Sequence, residues 1–254
     1  GVDWDVSEHA YFLDTNTLTP MTFNIDLRSN YAWLYDYSYQ WGDTGYNFKD
    51  TRTDYILANN LDAELKNTCG YWTSSIVTVT NNQIWGIHGD NYLAYTGADA
   101  IYYGIRPVVT VNKNVGYDGT SRVYYNGEIV YFNPVTNTQC YNYVEDNSTT
   151  GYKGENDTNK TANQNGCLRW FAYLDSGNAT DLKLLADHNT TTGVQWKEAD
   201  ATHPNGQNVP LEESNLQSEL DDLVGDNEYD WNVPTTIISA ADIALITDYA
   251  GTNG

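Results

Sequence analysis

Residues 104–111 read Gly-Ile-Arg-Pro-Val-Val-Thr-Val, and this stretch decides the fold class. After the arginine the run is uncharged and rich in β-branched residues, as a buried strand is. Pro107 stands near its start, where a missing ladder donor is tolerated. Upstream, residues 70–79 form a second β-rich run, and residues 84–87 and 91–95 look like paired strands joined at His88-Gly89-Asp90. Residues 31–39, Tyr-Ala-Trp-Leu-Tyr-Asp-Tyr-Ser-Tyr, predict a further strand buried on both faces. Short strands are expected at 11–13 and 21–25. A loop is expected at 42–54, and a short helix at 55–66, where Ile56, Leu57, Leu61 and Leu65 fall at helical spacing.

Downstream, residues 123–135 predict a β-hairpin. Asn126-Gly127 between β-formers is the strongest short hairpin signal. Residues 168–174, 182–187 and 190–196 read as strands. Leu211, Leu216, Leu220 and Leu223 share a helical face, with Glu212 and Glu213 in the first turn. Residues 239–246 predict a second helix: Ser239 as N-cap, then Ile243 and Ile246 on one face. No short-period repeat is visible.

Composition agrees with a β-rich, folded protein. Twenty-two tyrosines and eight tryptophans in 254 residues are too many for a disordered acidic tail. The formal net charge is −22, and the excess of acid is heavier after residue 115. Twelve basic residues spread along the chain exclude nucleic-acid binding, which needs clustered Lys and Arg to displace counterions. An anionic membrane surface is disfavoured for the same reason, and no apolar run is long enough for a membrane span. The first residue, Gly1, leads to the expectation of a processed, trimmed or excerpted chain.

The cysteines are Cys69, Cys140 and Cys167, and none forms a CxxC pair. Cys140 and Cys167 bracket a polar stretch rich in Asn, Thr and Gly. A disulfide between them would contribute about 3 kcal/mol in the chain-entropy model. Three reduced, buried thiols are the alternative. With the pair formed, Cys69 is left buried or paired with another subunit.

Four stretches carry a resemblance when taken together. They are 31–37 "YAWLYDY", 71–111 "YWTSS…IRPVVTV", 185–196 "LADHNTTTGVQW" and 237–246 "IISAADIALI". The set resembles secreted bacterial proteins with a C-type-lectin-like fold, of the formylglycine-generating and diversity-generating variable-protein type. It covers about two-thirds of the chain, with the motif order circularly shifted. In the family pattern the "DHNTT" and "ISAADI" segments come first. The resemblance therefore implies that residues 1–115 are the C-terminal part of a lectin-like unit. Residues 116–254 would hold the hairpin, the Cys-bracketed loop and the N-terminal part. The unit would be completed by a neighbouring copy, by the next repeat of a tandem protein, or by permutation within one chain. It follows that Gly254 is expected close to Gly1 of the next copy or of the same chain.

Candidate chemistry is sparse. No closely spaced cysteine pair stands in a strand, so formylglycine-generating activity is not carried over. His9, His88, His188 and His203 are scattered, and no GxSxG turn is present. Asp226, Glu228, Asp230 and Asn232 offer oxygen ligands at alternate positions, a weak resemblance to the start of a calcium loop without its glycine or closing Glu. Tyr92, Tyr95, Tyr102 and Tyr103 lie where lectin-like folds often place ligand-facing residues, and are the candidate ligand or partner surface. Asn147, Asn156, Asn159, Asn178 and Asn189 each begin an Asn-X-Ser/Thr triplet and are candidate glycan acceptors.

These readings give an α+β, predominantly β fold: a C-type-lectin-like domain with an added β-hairpin region and a few short helices. The expected function is non-enzymatic and structural, as a subunit or repeat of an extracellular bacterial filament or surface assembly that binds copies of itself. A secreted, lectin-like adhesin for glycan or protein is the second reading. No cofactor is expected, apart from calcium on the acidic surface.

Overall fold

The structure, a computed structural model, describes residues 31, 33–34, 39–42, 45–48, 70–88, 92–113, 122–140, 168–177, 180–186, 189–190, 193–225 and 230–247. They form a predominantly β fold with few short helices. β1 (Tyr39–Gly42) and β2 (Gly45–Phe48) make a two-stranded ribbon. β3 (Gly70–Ile76), β4 (Gln83–His88) and β5 (Tyr92–Gly97) make an antiparallel three-stranded sheet.

The larger sheet is six-stranded and antiparallel. It contains β6 (Pro107–Asn112), β7 (Glu128–Asn133), β8 (Thr138–Gln139), β9 (Leu168–Tyr173), β10 (Asp181–Ala186) and β11 (Thr235–Ile237). Its order is β11-β6-β10-β9-β7-β8. Thus β6, from the first half of the chain, lies between two strands from the second half. Pro107 is the first residue of its strand, where its lack of an N–H costs least.

One face of this sheet is buried and the other is covered in part: Val108, Leu185 and Tyr173 are buried on it, while Thr110, Asn112, Ile129 and Asp181 are exposed. Along β9, Leu168, Trp170 and Ala172 enter one core with Trp72, Trp196, Val109 and Leu184. Tyr173 turns to the other face and joins a second core with Tyr71, Trp85, Val108 and Leu185. Trp72, Trp85, Trp170 and Trp196 are all buried. Each such side chain removes about 200 Å² from water, roughly 5 kcal/mol of transfer free energy before conformational costs.

Helix α1 (Asn215–Asp221) follows a 3₁₀ turn at Leu211–Glu213 and buries Leu216 and Leu220. Helix α2 (Ala240–Ile246) begins as its sequence predicts: the Ser239 hydroxyl accepts from the Asp242 N–H at 2.9 Å. α2 covers the second core with Ile243 and Ile246, and its first N–H donates to the Ser75 hydroxyl on β3.

Five expectations are corrected. The stretch 42–54, expected as a loop, contains strand β2 (Gly45–Phe48), paired with β1. Residues 31–34 form a turn, closed by Leu34 N–H to the Tyr31 carbonyl, in place of a strand. The Asn126-Gly127 turn forms, with Glu128 N–H on the Tyr125 carbonyl, but residues 123–125 are not a strand. Their backbone is diverted, since Tyr124 N–H donates to Asp175. β7 instead pairs with β9 and with β8, inside the large sheet, so there is no appended hairpin at 123–135. Residues 193–196 run irregularly, with Val194 N–H on the Tyr103 carbonyl, and the single helix expected from 211 to 223 is interrupted at Ser214. The strands expected at 11–13 and 21–25 and the helix expected at 55–66 lie outside the described residues.

Candidate functional site

Two buried cations define the junction between the halves of the chain. Arg106, immediately before β6, is completely buried. Its Nε donates to the Ala186 carbonyl at 2.6 Å, Nη1 to the Leu34 carbonyl at 3.0 Å, and Nη2 to the Trp33 carbonyl at 2.7 Å. The guanidinium also lies 5.2 Å from the Tyr71 ring centroid and 5.8 Å from that of Phe171. The Tyr71 hydroxyl donates to the same Leu34 carbonyl. A buried charge is tolerated only when its donors are used, and the fork of Arg106 uses them on backbone oxygens from both halves.

Lys113, immediately beyond β6, is the second cation. Its Nζ meets the two oxygens of Asp175 at 2.9 and 2.8 Å. The Asp175 side chain is fully buried. Burial alone would raise its pKa, but the hydrogen bond from Lys113, the N–H groups of Tyr124 and Gly177 and the lysine charge together hold it below the usual carboxylate value. Asp175 therefore holds both the residue that leaves β6 and the residue that opens the approach to β7.

The nominated tyrosines are not one surface. Tyr103 is 1% exposed and packs edge-on against Trp72, so it belongs to the core. Tyr92 is the first residue of β5. Tyr95 is half-buried and stacks edge-on over Trp85. Tyr102 is half-buried, with its hydroxyl 2.7 Å from that of Thr96. Among the described residues the exposed large apolar side chains are scattered: Tyr125 is 79% exposed, and Ile101, Leu245, Val79, Val123 and Ile129 are also open to solvent. The exposure of Tyr125 follows from the diversion of residues 123–125 away from the sheet, which no local pattern announces.

Of the candidate calcium residues, Asp230 and Asn232 are exposed, and Asp226 and Glu228 lie outside the described residues. Among the described residues no group of three or more His, Cys, Asp or Glu converges as a metal site would. Cys140 is disulfide-bonded. Cys69 and Cys167, one of which is its partner, lie outside the described residues.

Asn189 is corrected as a glycan acceptor. It is 1% exposed, and its Nδ2 donates to the Gly70 carbonyl at 3.0 Å, leaving no room for a sugar. Asn147, Asn156, Asn159 and Asn178 lie outside the described residues, as do His9 and His188. His203 sits in an exposed loop against Asp200, at 3.3 Å. Asp200 is held low chiefly by the Thr202 hydroxyl, then by the His203 and Thr202 N–H groups. That pair is the familiar content of a polar turn.

Gly1 and Gly254 lie outside the described residues. The outermost described segments meet nonetheless: the Tyr31 hydroxyl donates to the Thr247 carbonyl at 3.4 Å. Comparison with family models, with curated proteins and with solved structures found no match.

Proposed function

We propose that this chain is a non-enzymatic structural subunit or repeat of an extracellular bacterial filament or surface assembly, built on a C-type-lectin-like fold and joined head to tail by fold complementation. One observation carries the reading: β6 lies between β10 and β11, which come from the other half of the sequence. The halves are linked through residues 114–121, so every bond between them has the same partners whether made within a chain or between chains. Heterologous contacts of that kind, when they do not close into a ring, give open fibres. The disulfide at Cys140 supports an oxidising, extracellular compartment.

Negative-stain electron microscopy of the native protein tests the proposal. Fibres whose axial repeat matches one chain support it. Discrete particles of single-chain size remove it.

A secreted adhesin is the second reading, favoured by the exposure of Tyr125. Exposed aromatic rings of this kind serve as anchors in interfaces and as stacking platforms for sugars. Glycan-array binding that Tyr125→Ala abolishes would place this reading first.

A further inference from the structure

We infer that Asn205 is a site at which this chain modifies itself: its side-chain amide is converted, through a cyclic imide closed by the Gly206 nitrogen, into isoaspartate and aspartate. The same dipeptide at Asn126-Gly127 is held unreactive by the fold. The reaction needs water and no enzyme, partner or second copy.

The sequence holds four Asn-Gly pairs, beginning at residues 126, 165, 205 and 253. Those at 165 and 253 lie outside the described residues. Asn-Gly is prone to this ring closure because glycine has no Cβ to hinder its nitrogen and its backbone turns freely. The glycine nitrogen gives its proton to hydroxide and attacks Cγ of the asparagine. A C–N bond forms, and the side-chain nitrogen takes up a proton from water and leaves as ammonia. Water then opens the ring at one of its two carbonyls. Opening at the side-chain carbonyl gives aspartate. Opening at the main-chain carbonyl routes the backbone through the side chain and gives isoaspartate.

Both asparagines are exposed, so exposure does not separate them. Hydrogen bonding does. At Asn126 both reacting groups are engaged by the segment of β9. The Asn126 Oδ1 accepts from the Leu174 N–H at 2.7 Å, and the Gly127 N–H donates to the Ala172 carbonyl at 2.8 Å. Gly127 also lies against Trp33, where an added Cβ would be 2.4 Å from the indole. Ring closure there must wait until the turn leaves the sheet.

The Asn205 side chain has no hydrogen-bond partner among the described residues. Its glycine nitrogen is engaged only within its own turn, where the Gly206 N–H donates to the His203 carbonyl at 3.0 Å. The corner of that β-turn, Pro204 and Asn205, is exposed. Local opening of the turn frees the nitrogen and disturbs no strand. The product matters to the loop. Isoaspartate lengthens the backbone by a methylene immediately before Gly206, which is buried so closely that an added Cβ would lie 2.4 Å from the Lys197 carbonyl oxygen. The longer backbone displaces Gly206 from that seat, so the loop records the age of the molecule.

The test incubates the full-length chain for some weeks at mildly alkaline pH, folded in buffer and, in parallel, unfolded in guanidinium chloride. Peptide mapping by mass spectrometry reads each Asn-Gly pair separately, and chromatography separates isoaspartate from aspartate. In the unfolded chain the pairs at 126 and 205 are expected to convert at similar rates. In the folded chain conversion at Asn205 is expected to exceed that at Asn126 several-fold, with isoaspartate in excess, and to quicken as the pH rises. Asn205→Gln, whose ring needs a further methylene, should remove the modification at this position and leave the other pairs as they were. An intact Asn205 amide in the folded chain, while the unfolded sample converts, overturns the inference. Conversion of Asn126 as fast as Asn205 in the folded chain overturns the protection by β9. Aspartate alone at Asn205 would mean direct hydrolysis and overturn the ring closure.

Discussion

Arg106 Nη2 donates to the Trp33 carbonyl across 2.7 Å, and so joins two parts of the chain that are 73 positions apart. Ala186, on β10, accepts from the same side chain. One guanidinium therefore holds the 31–34 turn, the start of β6 and the end of β10 together. The Gly-Ile-Arg-Pro stretch owes its arginine to this buried role.

Arg106→Lys keeps the charge and loses the fork. A lysine cannot satisfy the Trp33, Leu34 and Ala186 carbonyls together. With at least one buried acceptor left unpaired, the expected loss is about 3 kcal/mol of stability. Urea unfolding of the variant beside the parent chain measures it, and a loss below about 1 kcal/mol would show that water takes over the role of Arg106.

Asp175 gives the fold an acid-side dependence. Its pKa is lower folded than unfolded. Its contribution is therefore fully present above the ordinary carboxylate range, about pH 4, and is lost as the pH falls through the depressed folded value. Asp175→Asn should cost about 3 kcal/mol at neutral pH, since Lys113 is left buried without a counter-charge. Stability curves of the variant and the parent should converge as the solution is acidified.

Gly193 is constrained by contact. A Cβ there would lie 1.7 Å from the Ile101 carbonyl oxygen. Gly193→Ala must move one of two backbone segments, and a loss of about 2 kcal/mol or more is expected. An unchanged thermal midpoint would mean that the two loops part without cost.

The disulfide at Cys140 predicts that peptide mapping of the unreduced protein finds this residue bonded. Reduction should lower stability by about 3 kcal/mol if the bond closes a loop of some tens of residues. Mapping also identifies the partner as Cys69 or Cys167.

Strands β3 to β7, β9 and β10 and the capped helix were legible in the sequence, whereas β2, β8 and β11 were not expected as strands. Val108, Val109 and Val111 announce β6, and Ser239 with Asp242 announces the start of α2. The turn at 31–34 was not, because what bends the chain is a guanidinium far along it, and aromatic alternation is equally compatible with a strand. The expected hairpin failed for the same kind of reason: Asn126-Gly127 forms its turn, but Asp175 draws the Tyr124 N–H away from any ladder. The burial of Tyr103 was not legible either, because it depends on Trp72, which packs against it from a strand 31 positions away. Asp175 itself gave no signal, because its meaning lies in a lysine and a backbone amide distant in sequence.

The position of β6 also bears on what holds the molecule together after damage. A protease cut within 114–121 would break the chain and none of the hydrogen bonds between β6 and its neighbours. The two pieces would remain associated as a nicked protein through the shared sheet, Arg106 and Asp175, and would separate only on denaturation.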